Sequence, residues 1–177
     1  MFREVPVLPV VIPSAALVFA ALLWVLHRRD RLSAPRVAVA AALCVYAAGV
    51  VANTVFPIFV ERPGHAVQKW HLFLVPLADY ELADALENIV VFIPLGMLVP
   101  LLLARVTWWR VLAVGAAFSL TIELAQLVAG RFWDGGHIAD VNDLAFNVAG
   151  AALGLGLLAA LAHVPVAERL VDHFRWA

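Results

Sequence analysis

A carboxylate, Glu123, sits inside the apolar run 111–129, and other polar side chains align with it. Ser119, Glu123 and Gln126 are four and three residues apart, so a helix carries them on one stripe, which Gly115 and Gly130 extend. A second stripe follows in Asp140, Asp143, Asn147, Gly150 and Gly154, at separations of three, four, three and four. Asn88 stands at the head of an earlier apolar run, and Arg131 lies between the two stripes. These groups could do one of three things. As catalysts, Glu123 would be a general base and Asp143 its acid or metal partner, with Asn147 or Arg131 stabilising developing negative charge. As a binding site, the amides and carboxylates would hold a ligand's polar end while the Arg131 fork takes a phosphate or carboxylate. As braces, they would only tie helices together, which Asn and Gln do in membranes for about 0.6–2 kcal/mol. Arg131 could equally pair with Asp140 or Asp143, and Asp140, next to a loop, could cap a helix amino terminus.

Glu123, Asp140 and Asp143 are hard oxygen donors, and His71 and His137 lie in flanking loops. No recognised metal spacing connects them, because His137-x-x-Asp140 lacks the two-histidine helix pattern of zinc hydrolases. Neither a metal nor another cofactor is expected. No Gly-rich phosphate loop, Gly-x-Ser-x-Gly turn or basic aromatic patch occurs, so nucleic acid is not an expected partner.

The elements that position these residues must lie in a bilayer. The 177 residues are 64% hydrophobic and 14% charged, with mean hydropathy +0.94, against about 45–50% and 25% in soluble domains. A span needs about 20 apolar residues, and the windows 7–26, 37–60, 89–104, 111–129 and 141–162 are the candidates. The expected fold is an all-α integral membrane bundle of about five transmembrane helices in one domain, 1–177. Counting from Gly130, Glu123 would lie roughly 10 Å deep at 1.5 Å per residue. A charge at mid-membrane costs about 2.5–3.5 kcal/mol on insertion scales, so it faces the bundle interior and marks a functional site. The segment 61–87 reads as the longest aqueous loop, with 70–77 too short to span and suited to the interface. Pro94 and Pro100 should kink the third span, and the Gly150/Gly154 pair offers a close-packing seam. Cys44 reads as a packing residue.

Orientation follows from the cations. Arg28, Arg29, Arg31, Arg36, Arg105, Arg110, Arg169 and Arg175 fall on one side, against Arg3, Arg62, Lys69 and Arg131 on the other. The positive-inside rule then puts the amino terminus outside and the carboxyl terminus in the cytoplasm, with the polar stripes near the outer face. The basic cluster follows the first apolar run, which favours a retained anchor over a cleaved signal peptide. All six tryptophans fall near expected span ends, Trp24, Trp108, Trp109 and Trp176 inside and Trp70 and Trp133 outside.

The order of motifs is recognisable: Asn88-Ile-Val-Val-Phe92-Ile-Pro94-Leu95-Gly96, then Ser119-x-x-x-Glu123-x-x-Gln126, Arg131, and Asp140-Val-Asn142-Asp143-Leu-Ala-Phe-Asn147-x-x-Gly150-x-x-x-Gly154. Over residues 46–160 the chain resembles the VanZ-like family of bacterial membrane proteins. The resemblance implies a multi-pass protein of the bacterial cytoplasmic membrane, in a family named after a member that confers low-level teicoplanin resistance and without a settled biochemical activity. Asn88, Glu123, Gln126, Arg131, Asp140, Asp143 and Asn147 occupy its motif positions. Two features depart from the pattern: Asn142 stands where many members carry Asp, and the loop 132–139 looks longer than usual.

The leading expectation is an outward-facing pocket that binds a membrane lipid, a lipid-linked envelope precursor or a glycopeptide antibiotic, contributing to resistance. Asn88, Ser119, Gln126, Arg131, Asp140 and Asn147 would be its ligand-binding residues. One alternative is an intramembrane hydrolase or transferase using Glu123 and Asp143. Another is a proton-coupled transporter, for which five spans without an inverted repeat would require a homo-oligomer.

Overall fold

The computed structural model describes residues 3–61, 72–73, 75, 80–103, 105–132, 134–135 and 139–176. Among them are six helices: α1 (Val7–Arg28), α2 (Ala34–Thr54), α3 (Leu82–Leu102), α4 (Trp108–Phe132), α5 (Val141–Ala162) and α6 (Pro165–Phe174). The first five are long and apolar enough to cross a membrane. Because they alternate in direction, α3 and α5 run parallel, and α4 runs opposite to both.

Helix boundaries correct two of the expected spans. The second stops at Thr54 instead of continuing to residue 60. Pro57 lies just ahead, has no N–H to donate and disfavours helical geometry at Phe56. The third begins at Leu82, seven residues before position 89, and is 21 residues long. Asp84 and Glu87 therefore belong to a helix rather than to a loop ending at 87. Asp84 in the first turn opposes the positive end of the helix dipole. Pro94 and Pro100 both lie inside this helix, which continues through them.

Short strands join the segments at one end: β1 (Arg3–Glu4), β2 (Ile58–Glu61), β3 (Leu72–Phe73), β4 (Asp134–Gly135) and β5 (Ala139–Asp140). β1, β2 and β4 form an antiparallel ribbon, and β3 pairs with β5 in parallel, Phe73 opposite Asp140. Of the expected interfacial segment 70–77, Leu72–Phe73 is thus a strand, and residues 70–71, 74 and 76–77 lie outside the described residues. Strands of two to four residues are too short to show an alternating pattern in sequence. Glu81, Asp84, Asp140 and Asp143 gather at this acidic end.

The main apolar core joins Val50 of α2, Phe92, Leu95 and Val99 of α3, and Val111 and Ile122 of α4. Phe92 and Phe118 pack as tilted rings 5.8 Å apart. The tightest pairing is α3 against α5. A Cβ on Gly150 would strike the carbonyl of Ile89, one on Gly154 that of Ile93, and one on Gly96 that of Ala151. Glycine there lets two backbones touch, as expected of a small-residue seam.

The opposite, arginine end is closed by the carboxyl-terminal tail. Trp176 donates its backbone N–H to Leu101 O at 2.8 Å and its indole N–H to Arg36 O at 3.2 Å. Arg31 and Arg36 return hydrogen bonds to the carbonyls of Trp176 and Arg175, each at 2.8 Å. Trp176 is buried against Leu26 and Ala40, whereas Trp24, Trp108 and Trp109 are exposed. Trp70 and Trp133 lie outside the described residues. Cys44 is buried, consistent with a packing role.

Candidate functional site

At the acidic end three helices present polar side chains to one another, and the two sequence stripes explain where each arrives. The α4 stripe faces the groove beside α5. At its deepest point Asn147 Nδ2 donates to Ser119 Oγ at 2.9 Å. Ser119 has 0% exposure and Asn147 4%, so this pair lies in packed protein. Gly115, one turn further along the stripe, lets Ala151 of α5 come against α4.

One turn toward the acidic end, Glu123 Oε2 accepts the backbone N–H of Asp140 at 2.9 Å. Asp140 in turn caps α5, its Oδ1 accepting the N–H of Asn142 at 2.8 Å. Of the uses open to Asp140, capping is thus realised. The cap relieves one of the unpaired donors at the helix start and places negative charge at its positive end. β3 pairs with β5 just before this cap, so the strand ladder and Glu123 together fix where α5 begins.

Asn88 approaches from α3, donating Nδ2 to Asp143 Oδ1 at 2.6 Å. The glycine seam makes this reach possible by holding α3 against α5. A hydrogen bond to an ionised acceptor is shorter and roughly twice as strong as a neutral one. Tyr80 and Phe146 pack as tilted rings with centroids 5.4 Å apart.

Gln126 differs from expectation. It shares a stripe with Glu123 but turns away from α5, donating Nε2 to Thr54 O of α2 at 2.9 Å. The cause is the early end of α2, whose last-turn carbonyls have no intrahelical donor. Among the described residues, neither Gln126 Oε1 nor Asn147 Oδ1, both buried, has a hydrogen-bond partner. Arg131 belongs to α4, but its side chain lies outside the described residues, as do His71 and His137.

Asn142, a departure from the family motif, is buried to 2% exposure beside the cap. Its place on the α5 wheel, one residue from Asp143 and off the polar stripe, gives no warning of this. Among the described residues no group of His, Cys, Asp and Glu is disposed to hold a metal ion.

Below Ser119 and Asn147 the bundle turns apolar. A cleft of about 330 Å³ opens among α1, α2, α3 and α4, lined by residues including Leu43, Cys44, Leu95 and Phe118. A second of about 190 Å³ lies between α1 and α2 and shares Val18, Cys44 and Ala47 with it.

Five apolar spans, three of which bring an acceptor-rich cluster of polar side chains together at one end, define a multi-pass membrane protein. A family model described as VanZ/LLP1 matches residues 40–162, and the chain belongs to that family. No curated protein and no solved structure matches it. The matched stretch runs from inside α2 to the end of α5, so it contains the polar contacts described above and leaves α1 and α6 outside.

Proposed function

We propose that this VanZ-like envelope protein binds an amphipathic ligand at its acidic end, facing the outside of the bacterial cytoplasmic membrane. The ligand is a lipid-linked precursor or a lipoglycopeptide such as teicoplanin, whose capture lowers the antibiotic's effect. The carrying observation is the convergence of Glu123, Asp143, Asn88 and Asn147 from three helices. Ionisable groups inside a membrane are costly, and where they occur they mark a functional site by default.

The cluster is rich in acceptors. It gathers the acids Glu123, Asp140 and Asp143, and Asn147 Oδ1 is buried beside them without a hydrogen-bond partner among the described residues. Such a lining favours a ligand end that donates hydrogen bonds, such as a sugar hydroxyl or an amine. Arg131 is the proposed contact for an anionic group on the same ligand. The apolar cleft among α1, α2, α3 and α4, which Phe118 lines next to Ser119, gives a hydrocarbon tail a place among the spans.

Catalysis has less support. Glu123 and Asp143 each spend an oxygen on a hydrogen bond that positions α5 or α3, which lowers their availability as base and acid.

The test is teicoplanin susceptibility in cells expressing equal amounts of wild type, Glu123→Gln or Arg131→Ala. Wild type should protect and both variants should protect less. Equal susceptibility with and without wild-type protein would reject the resistance role.

A further inference from the structure

The arginine end has features that the acidic-end site does not use. α6 begins three residues after α5 ends, and its far end is strapped to the α1–α2 connection, α2 and α3 by the hydrogen bonds of Arg31, Arg36 and Trp176. It is therefore held against the arginine end of the bundle, in contact with α2 and α5. Its apolar side is only half used. Ala167, Val171 and Phe174 are half-buried, whereas Val166 and Leu170 are 79% and 62% exposed. Glu168, Arg169 and Asp172 occupy the opposite side. A strongly two-sided helix at this level rests its open apolar flank at the boundary between headgroups and acyl chains.

Two guanidiniums nearby are held on exposed indoles. Arg28 Cζ stands 5.6 Å from the Trp24 ring centre, and Arg110 Cζ 5.3 Å from that of Trp109. Indoles settle at headgroup depth, so each stack fixes a cation at the level of lipid phosphates. Arg110 also donates Nη1 to Arg105 O at 3.3 Å. Charge complementarity selects the partner. Eight arginines belong to this end, against Asp30, Glu168 and Asp172 as its acids among the described residues.

We propose that the arginine end binds an anionic phospholipid surface, with α6 in the headgroup plane and the Trp-stacked Arg28 and Arg110 contacting lipid phosphates. Arg31 and Arg36 serve the tail strap instead. The role is separate from ligand capture at the acidic end and does not depend on it.

The test uses the full chain in phosphatidylcholine nanodiscs carrying traces of spin-labelled phosphatidylglycerol or phosphatidylcholine. Wild type should associate preferentially with phosphatidylglycerol, and added salt should weaken the preference. The Arg28→Gln/Arg110→Gln variant should lose about fivefold of that preference per guanidinium removed. These side chains are on the surface, and size exclusion checks that the variant remains folded. No preference in wild type, or an undiminished one in the folded variant, overturns the proposal. For α6, an environment-sensitive dye on Leu170→Cys, in a Cys44→Ala background, should emit as in an apolar medium and be quenched by chain-labelled lipid. Water-like emission without quenching overturns the placement of α6.

Discussion

Glu123, inside α4, accepts the backbone N–H of Asp140 at 2.9 Å, so a carboxylate from one span holds the residue that caps the next. The bond joins the cluster's most deeply placed acid to the start of α5. Bracing and binding therefore share an atom, and the two roles separate only when charge and hydrogen bonding are varied independently.

Glu123→Gln keeps an acceptor for the Asp140 N–H, whereas Glu123→Leu leaves that donor without a partner. An orphaned buried donor costs about 1–3 kcal/mol. In reversible unfolding in bicelles, the Leu variant should lose about that much and the Gln variant much less. Equal losses would mean that the hydrogen bond contributes nothing to stability.

Ser119 and Asn147 form the deepest polar contact, at 2.9 Å. A double-mutant cycle with Ser119→Ala and Asn147→Leu should give a coupling of about 0.6 kcal/mol, and not above roughly 1.7, as for other hydrogen bonds between membrane helices. Zero coupling would place the two side chains apart in the membrane.

The glycines divide sharply by surroundings. A methyl on Gly154 meets the carbonyl of Ile93, while one on Gly156 meets nothing within 4 Å. Gly154→Ala should destabilise by about 1–3 kcal/mol through forced separation of α3 and α5. Gly156→Ala should be neutral or slightly stabilising. The reverse order would contradict the α3–α5 packing.

Because that seam lets Asn88 reach Asp143 at 2.6 Å, Asn88→Leu should also cost about 1.5–3 kcal/mol, the range for hydrogen bonds to charged groups. In an Asp143→Leu background the same substitution should cost little. An undiminished loss there would show that Asn88 acts through another contact.

Much of this architecture was legible in the sequence because hydrocarbon permits few solutions. Apolar length revealed five spans, and spacings of three and four residues placed Ser119, Glu123 and Asn147 on facing stripes. What stayed hidden depends on contacts distant along the chain. Gln126 shares the Glu123 stripe, yet its partner is set by the point where α2 stops, 72 residues earlier. The start of α3 was missed because Asp84 and Glu87 read as loop residues, although charges at a helix mouth remain in the headgroup zone. α6 escaped notice because a helix of 10 residues is too short to span and only its docked tail reveals its position.

The central claim is that the polar cluster takes a ligand in addition to bracing α4 and α5. Its most direct test is equilibrium binding of fluorescent teicoplanin to purified protein in nanodiscs, comparing wild type with Glu123→Gln after unfolding has shown the two comparably stable. The account predicts saturable binding to wild type that weakens at least about tenfold in the variant, equivalent to 1.4 kcal/mol. Saturable binding of equal strength in both proteins would contradict it.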